Sequence, residues 1–195
     1  MKIAISGKMG SGKTTLANVL ITQYGFVGLS FAKALKEVAM TEYGLSHEEA
    51  FGNKKNRELL QQIGEDKRNE HGQNYWVDKV LEQLNQNPNA NYVVDDVRYH
   101  SEYKALKDNG FIMVRIDSRM ELRQERLGDR FKNPDHISET QLDTIVRPDF
   151  AEEGQDSWDV YIINNSSIDT FESFAESIYK AFSDDPEIPT KQDNV

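Results

Sequence analysis

Apolar residues along the chain fall into short runs that alternate with longer stretches of helical periodicity. Lys2–Ser6 is a brief apolar run, read as a buried strand, and Gly7–Gly12 follows as a loop. From Lys13 to Tyr24, Leu16, Val19, Leu20 and Tyr24 share one helical side, and Gly25 supplies a stop. Phe26–Phe31 reads as a second short strand and Lys33–Tyr43 as a helix ended by Gly44. Ser46-His47-Glu48-Glu49 spells a capping box that opens another helix. Lys55–Glu70 sets Leu59, Leu60 and Ile63 at helical spacing, and Tyr75–Leu84 does the same with Trp76, Val77, Val80, Leu81 and Leu84. Beyond the polar turn Asn85–Asn91, Tyr92–Asp96 is a buried strand that ends in acid. His100–Asn109 is a helix closed by Gly110, Phe111–Ile116 a strand, and Ser118–Arg130 a helix. Phe131–Ser157 is irregular, with a short helix allowed at Glu139–Ile145. Trp158–Ile163 is the last strand and Asp169–Phe182 the last helix. Strands alternating with helices predict an α/β fold, a parallel sheet with helices on both faces.

Composition narrows this picture. At 195 residues one domain is expected over 1–182, with a disordered acidic tail over 183–195. There are no cysteines, so disulfides and thiolate metal sites are excluded, and a reducing cytoplasm is the expected location. No apolar stretch is long enough to span a bilayer, so no membrane partner is expected. The net charge of −10 argues against a nucleic-acid polymer as partner. It leaves room for a small anionic ligand held by a local convergence of cations.

Candidate chemistry begins at the first loop. Gly7, Met9, Gly10, Ser11, Gly12, Lys13, Thr14 and Thr15 lie in a complete phosphate-loop pattern, GKMGSGKT plus one residue, after a strand and before a helix. The glycines free the backbone to aim N–H groups at a phosphate, and the helix N-terminus adds its positive end. Lys13 brings a charge to the β- and γ-phosphates, and Thr14 offers a hydroxyl to Mg²⁺. A carboxylate near that metal is expected at the end of a neighbouring strand. Asp96 is the first choice and Asp95 the alternative, and Arg98, in an extended segment, would point to the same side as Asp96. Arg119, Arg123, Arg126 and Arg130 are spaced by four, three and four. They would fall within about 60° on one helix face, and like charges so placed destabilise an isolated helix. An anion against them would remove that cost, so the stripe is read as a mobile lid, about 118–135.

Several further pieces join these. Ser30-Phe31-Ala32-x-x-Leu35-Lys36, Arg57…Gln62-x-Gly64…Arg68, Asp96-Val97-Arg98 with Glu102, and His136-x-Ser138-Glu139 together resemble the bacteriophage-type deoxynucleoside monophosphate kinases, from Met1 to about Tyr179. The resemblance implies a P-loop kinase fold with a five-stranded parallel sheet, ATP as donor and a deoxynucleoside 5′-monophosphate as acceptor. It implies that Phe31, Lys36, Arg57, Gln62, Arg68 and Arg98 surround the acceptor, with the acceptor-binding region at about 31–75. It makes the arginine stripe the lid, and the location the host cytoplasm if the chain is phage-encoded. Trp158–Asn164 is also similar to the last strand of dephospho-CoA kinases, which implies that Asn164 approaches the adenine.

The expected reaction is in-line phosphoryl transfer between two nucleotides, with Lys13, Arg98, Arg123, Arg126 and Arg130 offsetting the repulsion of two polyanions. Another small-molecule kinase of the same fold, acting on dephospho-CoA or phosphomevalonate, would use the same loop and lid. A nucleotide-dependent switch would need no acceptor site. Trp76 can be core or a platform for a base, and both a monomer and a homodimer are compatible with the pattern.

Overall fold

The computed structural model describes residues 1–52, 55–131, 140–165 and 170–183. The expected tail, the His136-x-Ser138-Glu139 motif and the end of the proposed lid lie outside those residues. The chain comprises two compact units. One joins Met1–Gly28 to Ala90–Val195, and the other is Leu29–Asn89.

The chain forms a five-stranded parallel sheet, which apart from Leu29 belongs to the first unit: β1 (Lys2–Gly7), β2 (Val27–Leu29), β3 (Tyr92–Val97), β4 (Ile112–Asp117) and β5 (Val160–Ile163), in the order β2-β3-β1-β4-β5. β2 is shorter than the expected Phe26–Phe31. Ser30 leaves the strand because its hydroxyl accepts from the Lys33 backbone N–H at 3.2 Å and so caps the next helix. One face of the sheet carries Ile3, Ile5, Val93, Val114, Ile116 and Ile162. It buries them against α1 (Lys13–Tyr24), through Leu16, Ala17 and Leu20, and against the C-terminal helix Thr170–Phe182, through Phe171, Ala175 and Ile178. Each fully buried side chain of this size contributes about 1.5–3 kcal/mol. α1 runs over the residues its apolar spacing predicts, and Gly25 closes it with φ 69°.

The chain order sets the position of the site. β1 leads to β2 on one side, whereas β3 leads to β4 on the other. The carboxyl ends of β1 and β3 therefore flank a topological switch point, where such sheets bind ligands. The β1–β3 ladder also slips there. Ala4 pairs with Val94 but Ser6 pairs with Val97, so Asp95 and Asp96 together oppose one residue of β1. This bulge breaks strict alternation and re-aims strand-end side chains.

The second unit is helical: α2 (Phe31–Tyr43), α3 (His47–Phe51), α4 (Arg57–His71) and α5 (Tyr75–Leu84). α3 opens with the capping box read from Ser46 and Glu49, both of whose reciprocal bonds form. Ala39, Leu60 and Ile63 make its small core, with Leu35 and Leu45 alongside. Trp76 is core rather than platform: its side chain is buried and its indole N–H donates to the Gly64 carbonyl at 3.0 Å. Trp76→Ala is expected to destabilise this unit by about 3–5 kcal/mol. Hydrogen exchange would show α4 and α5 losing protection while β1 and β4 keep theirs.

Candidate functional site

The loop between β1 and α1 places its backbone in a consistent way. Every carbonyl from Gly7 to Gly12 is held by a donor. Lys13 Nζ donates to the carbonyls of Gly7 (2.5 Å) and Lys8 (3.1 Å), and the Ser11 N–H also reaches Lys8. Arg123 and Arg126 donate to the carbonyls of Met9 (3.5 Å) and Gly10 (3.2 Å). Asn164 Nδ2 donates to the Ser11 carbonyl at 2.7 Å, and the Leu16 N–H takes Gly12. With these carbonyls turned to donors, the loop runs into the N-terminus of α1, whose backbone N–H groups and positive end suit an anion.

Two glycines are demanded by packing as well as by φ. Gly12 has φ 108°, and a Cβ there would run into the Phe171 ring. Gly10 has φ 80°, and a Cβ would press on the Arg123 carbonyl at 3.1 Å. The loop is thus sandwiched between the C-terminal helix and the arginine segment.

That segment differs from expectation. The stripe does not lie on one continuous helix. After α6 (His100–Asp108), α7 covers only Met120–Leu127, because Gly128 takes φ 51° and the chain tightens into a 3₁₀ turn, Gly128–Arg130. Arg119 precedes α7 and Arg130 follows it, both exposed. Arg123 is only 5% exposed, and its Nε donates to the Ser118 carbonyl at 3.2 Å. Arg126 also reaches the Ser118 hydroxyl at 3.1 Å. These two arginines hold the loop through its carbonyls.

Asn164 is also reassigned. It is 1% exposed, and the parallel pairing of β5 with β4 lays the residue after β5 against the loop, so its amide anchors Ser11. It is enclosed there, with its amide committed to the loop.

The carboxylate that meets the loop hydroxyl is the alternative one. Thr14 Oγ1 donates to Asp95 Oδ2 at 2.8 Å, and the bulge in β3 accounts for the shift from Asp96. A hydroxyl and a carboxylate oxygen converging beside a phosphate loop suit a hard divalent cation that takes its remaining ligands from water and phosphate. Arg98 follows β3; its backbone N–H donates to Glu102 Oε2 at 2.8 Å, as does that of Tyr99 at 3.1 Å.

In the helical unit the expected acceptor residues lie on two helices. Phe31 is buried at the start of α2, and Lys36 sits 4.8 Å from the Phe51 ring centroid. Arg57 begins α4, the exposed Gln62 donates to Asp66 at 2.8 Å, and Arg68 donates to the Gly64 carbonyl at 3.3 Å.

On the sheet face opposite α1 lies a small polar cavity of about 180 Å³ lined by Lys8, Arg115, Asp117, Asp143, Trp158 and Tyr161, among others. Tyr161 donates to Asp117 at 3.1 Å; burial first, then the Asp117 charge, pushes its hydroxyl pKa up. Sequence reading passed over Lys8, Arg115 and Asp143. A signal existed for Arg115, a cation inside the apolar run Ile112–Ile116, but none for Asp143.

This loop, with Thr14 and Asp95 at the switch point of a β2-β3-β1-β4-β5 sheet, defines a P-loop protein of the kinase fold. The chain belongs to the AAA domain family, whose match spans residues 3–147. It is 27% identical over 201 residues to a protein of Acanthamoeba polyphaga mimivirus provisionally named deoxynucleotide monophosphate kinase, covering 88% of this chain and 92% of that one. Among solved structures it resembles the dephospho-CoA kinase of Campylobacter jejuni, with 20% identity, a TM-score of 0.51 and coverage of 92% and 96% of the two chains. It also resembles a sugar kinase of Janibacter sp. HTCC2649, with 16% identity, a TM-score of 0.50 and coverage of 90% and 92%.

Lys13→Ala is expected to weaken ATP binding by at least tenfold while leaving the melting temperature within a few degrees of wild type. Calorimetric titration and thermal unfolding on the same samples check both halves.

Proposed function

We propose that this protein transfers the γ-phosphoryl group of ATP to a deoxynucleoside 5′-monophosphate. The observation that carries the donor half is the anchored loop, with Thr14 and Asp95 meeting beside it. The acceptor half is supported by the name of the mimivirus relative and by the resemblance carried by Phe31, Lys36, Arg57, Gln62, Arg68 and Arg98.

The acceptor phosphate oxygen is already anionic near neutral pH, so the site needs no strong general base. The task is to hold two polyanions in line and offset their repulsion. Backbone N–H groups of Gly10–Thr14 and the Lys13 ammonium bind the β- and γ-phosphates. Thr14 and Asp95 would hold Mg²⁺, which would supply positive charge against the triphosphate. Arg98 receives the acceptor phosphate. Arg123 and Arg126 shape the loop, and exposed Arg119 and Arg130 close on the nucleotide and keep water from the transferring group. Phe31, Lys36, Arg57, Gln62 and Arg68 orient the acceptor.

Two experiments test this. A panel of nucleoside monophosphates in both sugar forms, with dephospho-CoA and phosphomevalonate alongside, is expected to show turnover on deoxynucleoside monophosphates. Turnover confined to the other acceptors would replace the acceptor assignment, and ATP hydrolysis with no acceptor would favour a switch. Asp95→Asn is expected to lower kcat by about a hundredfold or more, and Asp96→Asn by less than tenfold. The reverse order would return the metal to Asp96.

A further inference from the structure

The phosphate loop contains a second lysine, Lys8, whose role the loop pattern leaves open. Its ammonium meets Asp143 Oδ2 at 2.7 Å. The other oxygen of the same carboxylate accepts from Arg115 Nη2 at 2.6 Å. Arg115 is 6% exposed, on β4, and its Nη1 donates to the Ser6 hydroxyl at 3.2 Å. Ser6 in turn donates to the Val97 carbonyl at 2.9 Å, immediately before Arg98. One carboxylate thus ties the loop, β1, β4 and the end of β3 into a single hydrogen-bonded chain.

Asp143 is itself fixed. It lies in the 3₁₀ turn Gln141–Thr144, between the buried side chains of Leu142 and Ile145. Trp158, 1% exposed, donates its indole N–H to the Ile145 carbonyl at 3.2 Å. Thr144 Oγ1 lies 2.9 Å from His100 Nε2 at the start of the helix after Arg98. The carboxylate is therefore presented by a pinned turn, not by a wandering side chain.

The position of residue 8 matters to the loop because its carbonyl accepts both Lys13 Nζ and the Ser11 N–H. We infer that Asp143 is a positioning residue for triphosphate binding, acting through Lys8 to set the backbone of the phosphate loop. The inference rests on the reading of the loop as an ATP site. It makes a prediction opposite in sign to simple electrostatics. Asp143 is an anion beside a polyanion site, so through-space charge alone would make its neutralisation tighten ATP binding. Positioning makes neutralisation weaken it.

The test is a double-mutant cycle on the full chain with ATP–Mg²⁺ affinity as the readout, so that it does not depend on the acceptor. Asp143→Asn and Lys8→Met are each expected to raise the dissociation constant about tenfold, and the double variant to stay near tenfold. Asp143→Glu should recover to within about threefold of wild type. Tighter binding in Asp143→Asn, an unchanged constant, or a hundredfold loss in the double variant would each overturn the inference. A fall in melting temperature with unaltered affinity would reduce Asp143 to a packing role and overturn it equally. Wild-type turnover on the acceptor panel is scored separately, so a failed acceptor assignment and a failed role for Asp143 remain distinct. If the wild-type chain bound no ATP, the reading of the loop and this inference would fall together.

Discussion

The rest of the structure depends on where the carbonyl oxygens of the phosphate loop go. A loop that offers its N–H groups to an anion must turn its carbonyls elsewhere, and each left buried without a donor would cost about 1–3 kcal/mol. Six consecutive carbonyls, Gly7 to Gly12, find donors in Lys13, Ser11, Arg123, Arg126, Asn164 and Leu16. Apart from Ser11, which lies in the loop itself, those donors come from α1, α7 and the residue after β5. The loop cannot hold its shape without the far edge of the sheet, and this gives β5 and α7 a reason to pack where they do.

The same requirement explains a charged helix with a buried face. Arg123 is enclosed because carbonyl oxygens surround it, an arrangement that suits a delocalised guanidinium better than a compact ammonium. Arg115, buried on β4, meets the Asp143 carboxylate and the Ser6 hydroxyl. In an acidic chain, Lys8, Lys13, Arg115, Arg123 and Arg126 each have a fixed partner at or beside the loop. Local convergence, not net charge, prepares the place where a polyanion can bind.

The bulge in β3 does comparable work on the acidic side. Two consecutive aspartates opposite one β1 residue cannot keep the simple alternation of a strand, and Asp95 becomes the partner of Thr14. Val97 then returns to register with Ser6, which fixes the backbone from which Arg98 departs. The helical unit carries its own small core around Ile63 and Leu60 and its own indole-to-carbonyl bond at Trp76. Its helices are thereby ordered by local contacts.

Much of this was legible in the chain itself. Helical periodicity marked α1 and α5 to the residue, Ser46 and Glu49 announced their capping box, and the alternation of strands and helices indicated a parallel sheet. The phosphate loop was plain from residue type and spacing, because glycine conformations and a helix N-terminus are local properties. Tertiary structure alone decided the rest. A bulge depends on the register of two strands 90 residues apart, so the choice of Asp95 could not be read from Asp95-Asp96. The roles of Arg123, Arg126 and Asn164 depend on which backbone carbonyls come within reach. Asp143 sits in a stretch with no periodicity, and only the folded turn brings its carboxylate to Lys8 and Arg115. Local sequence sets torsional preference and the apolar face. Partnership between distant polar groups is set by packing, and that is where this site acquired its acids and anchors.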